Sequence, residues 1–288
     1  MVRLVVTDMD NTLYSWIDYI VPAVEAMVDA VCRATDFPRI QVVQGLKAVY
    51  SKYESNEYPF ALQESALYAA FPEFGSFDKL VIQPAREAFA AARKKYLRPY
   101  PGVLDTLEAL KSRGVAVVAL TDAPRNPAEQ RAKRMGFDQF LSELNTLPGF
   151  VFPKDDQGAA LIAPDILARE ERGHYRAACN VVELPRHFEK PNPEGLLQIM
   201  KRFGAVGRET IVVGDSVKKD IAIARAVGAV DCWAEYGTYV SMEYRERLDI
   251  ISAKAITQRH AASVLEGDSK GPPPSHALSN FSQLLKLL

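Results

Sequence analysis

Residues 3–16 read RLVVTDMDNTLYSW, and this stretch decides the architecture. Leu4, Val5 and Val6 form a short, β-branched apolar run bounded by polar residues, the pattern of a strand buried on both faces. It runs into two aspartates one residue apart, Asp8 and Asp10. Burying carboxylates is costly unless their charge is compensated. The pair is therefore either a solvated strand end or a working site. A Ca²⁺ loop opens in a similar way but needs Gly at its sixth position and Glu at its twelfth. Counted from Asp8, those positions hold Leu13 and Tyr19, which excludes it.

Outward from this strand the texture changes. Between residues 17 and 98, VPAVEAMVDAVCRA, RIQVVQGLKAVYSKY, LQESALYAAF and KLVIQPAREAFAAARKKYL carry apolar residues at helical spacing. Pro22 is placed near the start of the first helix, where a missing N–H costs little. Beyond RPYPGV, helices and strands alternate. LDTLEALKSRG is a helix terminated at Gly114, and VAVVALTD is a buried strand. RNPAEQRAKRMG reads as a helix with Asn126 as N-cap, Pro127 first and Glu129 three after the cap. TIVVGDS and AVDCWAEYG are strands flanking the helix KKDIAIARAVG, and HALSNFSQLLKLL is a strand remnant with a closing helix. The alternation predicts a parallel sheet covered on both faces. The expected fold is α/β: a doubly wound, Rossmann-like parallel-sheet core of residues 1–16 and 99–288, interrupted by an α-helical cap of residues 17–98. Residues 146–180 and 237–274 break the alternation and read as insertions in the core, the second finishing in the loop-like EGDSKGPPPSH.

The chain has 288 residues, 48% hydrophobic and 25% charged, enough for a substantial globular core. Its 35 basic and 36 acidic side chains create no positive field for nucleic acid or an anionic membrane. Cys32, Cys179 and Cys232 show no C-x-x-C spacing, so free thiols are expected. No apolar run reaches the ~18 residues that span a bilayer, and no signal-like segment precedes the first strand. A cytoplasmic location is expected. The four histidines lack ligand spacing and are assigned no catalytic role.

Ligands of open parallel sheets bind beyond the carboxyl ends of the strands. At that edge the strand order places Asp8 and Asp10, then Thr121 with Asp122, then Asp215 and Ser216 with Asp220 in the next turn. Lys190 precedes PNPEG, where Asn192 can cap a helix begun by Pro193. Lys154, in FPKDD, is its rival, but a helix start follows it less cleanly. Three acids converging with one lysine repel unless a cation sits among them. An all-oxygen set of few ligands suits Mg²⁺.

DMDNT at residues 8–12, a strand ending in Thr121, Lys190-Pro191 and GDSVKKD at residues 214–220 resemble, in this order, the four signature motifs of the haloacid dehalogenase-like hydrolase superfamily. The resemblance covers residues 1–13 and about 99–235, and the helical insert resembles the caps found there between the first and second motifs. It implies a Mg²⁺-dependent phosphatase acting on a small phosphorylated metabolite, a sugar phosphate or nucleotide monophosphate. Asp8 would attack phosphorus to form an aspartyl-phosphate. Asp10 would protonate the leaving oxygen and then deprotonate the attacking water. Mg²⁺ would be held by Asp8, the Asp10 carbonyl and Asp215, supported by Asp220. Thr121 and Lys190 would hold the phosphoryl oxygens, with Asp122 either a substrate contact or a turn residue. Tyr14 and Trp16 would line the pocket or pack the hinge, and YESNEYPF, residues 53–60, would face the substrate from the cap. A phosphomutase would keep the same residues and stays open as an alternative. A haloacid dehalogenase has no need of Asp10, a phosphonate hydrolase would replace it, and a non-catalytic binding module would be marked by loss of Asp8 or Asp215. No motif specifies an oligomeric state.

Overall fold

The computed structural model describes residues 1–70, 77–149, 176–254, 256–258 and 273–288. Seven strands form one sheet: β1 (Leu4–Thr7), β2 (Ala116–Pro124), β3 (Glu143–Leu147), β4 (Asn180–Glu183), β5 (Thr210–Gly214), β6 (Val230–Trp233) and β7 (His276–Ala277). Their order is β4-β3-β2-β1-β5-β6-β7 and every pairing is parallel. Leu4 lies opposite Ala116 on one side and Thr210 on the other, so β1 is central. The chain builds outward from β1 to β4 and returns to β5 on the far side of β1. That reversal opens a crevice at the carboxyl end of β1.

Nine α-helices are described: α1 (Trp16–Ala34), α2 (Arg39–Tyr53), α3 (Ala66–Ala70), α4 (Gln83–Tyr96), α5 (Val103–Ser112), α6 (Arg125–Met135), α7 (Glu194–Phe203), α8 (Ala222–Ala226) and α9 (Met242–Ile251). Successive strand residues point to opposite faces, and two apolar clusters result. Leu4, Val6, Val118 and Val212 pack with Leu196, Ile199 and Met200 of α7. On the other face Val5, Val117, Ile211 and Val213 join the larger cluster that includes Leu107 of α5 and Ala128 of α6.

Helices α1 to α4 lie between β1 and β2 in sequence, with α1 packed along α4. α1 starts at Trp16, well before Pro22, because the Ser15 hydroxyl accepts from the Asp18 N–H at 3.1 Å and caps the helix there. Pro22 falls in its second turn. α6 also starts earlier than expected, at Arg125, so Asn126 is already helical and does not cap it. β2 runs on to the extended residue Pro124 and the helix follows with no loop between them, leaving no residue free to cap.

β3 and β4 are poorly visible as hydrophobic patterns. All five residues of β3, ELNTL, are buried, and the Glu143 and Asn145 side chains are both met by the Arg202 guanidinium from α7. The helix α9, within the stretch 237–274, rests on the insert. Arg247 makes a two-pronged pair with Glu25 of α1 at 3.0 and 2.6 Å. Lys47 of α2 donates to the Asp249 carbonyl at 2.8 Å, and the Asn56 amide donates to the Ser252 hydroxyl. Most of the 146–180 insertion, Lys154 included, and all but the last four residues of the EGDSKGPPPSH loop lie outside the described residues.

Candidate active site

The crevice is lined from the strand ends. The Asp8 N–H donates to the Val213 carbonyl at 2.9 Å, which holds the first aspartate at the tip of β1 beside β5. β5 ends at Gly214, and Asp215 follows. A Cβ at Gly214 would lie 2.2 Å from Cγ of Asp220, so only glycine lets the next turn fold Asp220 back against the strand end. The Asp220 carboxylate then accepts from the Ser216 N–H at 3.2 Å. Lys190 is 4% exposed, and its Nζ donates to Asp8 Oδ1 and Asp220 Oδ1, each at 2.6 Å, and to the Leu120 carbonyl at 3.3 Å. Its peptide with Pro191 is cis. Asp122 anchors this lysine segment: one oxygen accepts the Lys190 N–H at 3.0 Å, the other pairs with Lys219 Nζ at 2.8 Å.

Asp8, Asp215 and Asp220 each bring a carboxylate oxygen to within 4.8 Å of the others. One ammonium, Lys190, is paired into this set of three acids. Burial pushes the Asp8 carboxyl up to about 7; Lys190 opposes the shift, and the charges of Asp220 and Asp10 add to it. Burial and the charges of Asp8 and Asp220 drive Asp215 well above the usual carboxylate range. Burial alone would lower Lys190, but Asp220 and Asp8 raise it well above its ordinary value and keep it charged. Carboxylates this close that resist ionising are relieved by a hard divalent cation, and oxygen donors of this kind fit Mg²⁺.

Asp10 is partnered by a different set. Its Oδ1 accepts from the Tyr14 hydroxyl and its Oδ2 from Arg131 Nη2 at 3.3 Å. Arg131, on α6, is 1% exposed. Its Nη1 reaches both Glu57 oxygens at 2.5 and 2.7 Å and the Tyr19 hydroxyl at 2.8 Å. Glu57 follows α2 in the insert, and also accepts from the Tyr19 hydroxyl at 2.5 Å and Trp16 Nε1 at 3.0 Å. Burial raises Asp10, Arg131 counters it, and Glu57 adds to it. Burial would also raise Glu57, but Arg131 and the hydrogen bonds from Tyr19, Arg131 and Trp16 outweigh it and hold the carboxyl low. The turn after Asp10 is fixed from the helical turn that follows β6: the Tyr236 hydroxyl donates to the Thr12 carbonyl at 2.5 Å, and a Cβ at Gly237 would strike the Asn11 carbonyl.

Comparison with known families gives a match to haloacid dehalogenase-like hydrolase over residues 2–228. The chain belongs to the haloacid dehalogenase-like hydrolases. This hydrolase is 27% identical over 257 residues to the glyceraldehyde 3-phosphate phosphatase of Methanopyrus kandleri, covering 87% of the chain and 91% of that relative. It is 25% identical over 238 residues to the phosphoglycolate phosphatase of Pseudomonas fluorescens, covering 82% and 70%. Among solved structures, the 2-haloacid dehalogenase from Pseudomonas syringae pv. Tomato shares its fold with a TM-score of 0.57 at 19% identity, covering 100% of the chain and 98% of that protein. Among the described residues no helix is long and apolar enough to cross a membrane.

The hydrolase thus gathers Asp8, Lys190, Asp215 and Asp220 at one point. Thr121 is buried within β2, which runs three residues past the end expected there; it lies where the register with β3 shifts, and its hydroxyl accepts the Ala123 N–H at 3.1 Å. The Asp122 oxygens are taken by Lys190 and Lys219, and the Asp10 carboxylate faces Tyr14 and Arg131. Arg131, Glu57 and Tyr19 escape a motif reading, yet Arg131 left a trace. Ala128, Arg131, Ala132 and Met135 all face inward on α6, so the arginine occupies a core position of an amphipathic helix. Lys219 of the fourth motif is tied to Asp122.

Proposed function

We propose that this hydrolase releases phosphate from a small phosphorylated metabolite through an aspartyl-phosphate on Asp8. The observation that carries the reading is the Lys190 ammonium bonded to both Asp8 and Asp220 inside a three-oxygen cation site. A nucleophilic carboxylate, its charge partner and the place for a divalent ion coincide. Asp8 attacks phosphorus, and the P–O electron pair passes to the leaving oxygen, which takes a proton from Asp10. Asp10, now ionised, removes a proton from the water that attacks the aspartyl-phosphate, freeing phosphate and restoring the Asp8 carboxylate. Lys190 and Thr121 hold the phosphoryl oxygens, and Asp122 fixes the backbone from which Lys190 reaches. Mg²⁺ bound by Asp8, Asp215, Asp220 and the Asp10 carbonyl would supply charge neutralisation at the transferring group. The insert, residues 17–98, acts as a cap that excludes bulk water. The relatives named for glyceraldehyde 3-phosphate and phosphoglycolate support a small phosphate ester as substrate.

The test is phosphate release from a panel containing those two esters, with Mg²⁺ and with EDTA, for the parent and Asp8→Asn. Mg²⁺-dependent release that vanishes in the variant is expected. Release that survives Asp8→Asn removes Asp8 as nucleophile, and release indifferent to EDTA removes the cation.

A further inference from the structure

The charged network around Asp10 is more elaborate than a buried counterion requires. Arg131 comes from α6, packed against the sheet, and Glu57 from the insert, so the network joins the two parts of the molecule at the proton-transfer group. Glu57 receives bonds from Arg131, Tyr19 and Trp16 and is left no freedom to turn. Among the described residues the Arg131 Nε has no hydrogen-bond partner, so the guanidinium is oriented through its two terminal nitrogens, one on Glu57 and the Tyr19 hydroxyl and one on Asp10. The Asp10 side chain keeps 28% exposure. It is the most exposed member of the network.

We propose that Glu57 and Arg131 are positioning residues for proton transfer: the insert carboxylate orients the guanidinium, and the guanidinium fixes the Asp10 carboxyl for the leaving oxygen. The proposal rests on the reading of Asp10 as general acid and base. General acid catalysis requires the carboxyl oxygen within about 2.6–3.2 Å of the oxygen it protonates. A carboxyl held by Tyr14 on one oxygen and Arg131 on the other has one orientation. Without Glu57 the guanidinium loses the anchor that aims it. When the P–O bond breaks, the proton leaves Asp10 for the departing oxygen, and Arg131 stands ready to pair with the carboxylate that remains.

The consequence depends on the leaving group. An alkoxide needs the proton, whereas 4-nitrophenolate departs readily without it. The experiment compares kcat for glycerol phosphate and 4-nitrophenyl phosphate in the parent, Glu57→Gln, Arg131→Lys and Asp10→Asn, each checked for an unchanged circular dichroism spectrum. Glu57→Gln should lose at least about tenfold on the alkyl ester and under about threefold on the aryl ester, a fraction of the 10²–10⁴ a general acid supplies. Arg131→Lys, which keeps the charge but loses the fork, should fall between Glu57→Gln and Asp10→Asn in the same pattern. Equal losses of Glu57→Gln on both esters, or none on either, would overturn the proposal while leaving the phosphatase reading intact. An Asp10→Asn variant that does not separate the esters would remove the acid role of Asp10 and the proposal with it. A parent that hydrolyses neither ester nor any of the wider panel would overturn the phosphatase reading first. Should Glu57→Gln fail to fold, Trp16→Phe removes one donor to Glu57 and must shift the alkyl-to-aryl ratio in the same direction.

Discussion

Asp8 and Asp10 are two residues apart, yet their carboxylates are stabilised by different means. Around Asp8 the acids outnumber the cations: Asp8, Asp215 and Asp220 share Lys190. Around Asp10 two acids share one cation: Arg131 stands between Asp10 and Glu57, and hydrogen bonds from the Tyr14 and Tyr19 hydroxyls and the Trp16 indole supply the rest. The first cluster is drawn from strand ends and turns of the sheet alone. The second reaches from α6 to the insert. Three carboxylates with one ammonium on rigid strand ends and turns leave oxygens that an ion could join; a hydrogen-bonded network across a seam makes geometry depend on how the two parts meet.

The strongest way to break this contrast is Asp8→Asn. It should cut phosphate release by about 10³-fold or more, while the metal-free protein melts at a higher temperature because a penalised buried charge is gone. A variant that melted lower than the metal-free parent would show the first cluster already balanced. Next comes Arg131→Met, which strands two carboxylates and should cost about 3–5 kcal/mol in urea unfolding. Mg²⁺ should not recover that loss; if it does, the two clusters are one. A pH series on metal-free protein sharpens the picture further. Asp8 rises from 3.8 to about 7 on folding, chiefly through burial, so the folded state binds the proton more tightly than the unfolded chain. Its contribution is complete below about 3.8 and is lost as the pH climbs through about 7. The thermal midpoint of metal-free protein should therefore fall between about pH 4 and about pH 7, and the gain from added Mg²⁺ should widen over the same span. A midpoint rising with pH would contradict it. The smallest effect belongs to Lys219→Ala. Its side chain is 37% exposed, so loss of the pair with Asp122 should cost at most about 1 kcal/mol, read by the same urea titration.

The sheet was legible where hydrophobicity and burial coincide, as in Leu4–Thr7 and Thr210–Gly214, whose residues are all buried. It was obscure at β3, because Glu143 and Asn145 are buried polar groups satisfied by an arginine 59 and 57 residues away. The cation cluster could be anticipated because its members stand at strand ends, positions that topology alone brings together. The Asp10 network could not, since Glu57 meets Arg131 from 74 positions away and only the packing of the insert on α6 closes the gap. Helix starts were misjudged for a local reason: Ser15 offers a cap ahead of the proline that attracted attention, and Pro124 needs none.

The contact between α9 and the insert bears on how the insert is held. The insert joins the sheet through two neighbouring chain crossings, where Tyr14 bridges Pro99 and Tyr100 donates to the Leu13 carbonyl. The Glu57–Arg131 pair fastens it again to α6. Arg247 on Glu25, Lys47 on the Asp249 carbonyl and Asn56 on Ser252 then tie α9 to it. α9 packs on α1 and α2, so a displacement of the insert against the sheet either carries the helix along or breaks those bonds together. The chain leading into α9 thereby becomes a tether on the insert, its Arg247 standing 222 positions downstream of the glutamate it grips.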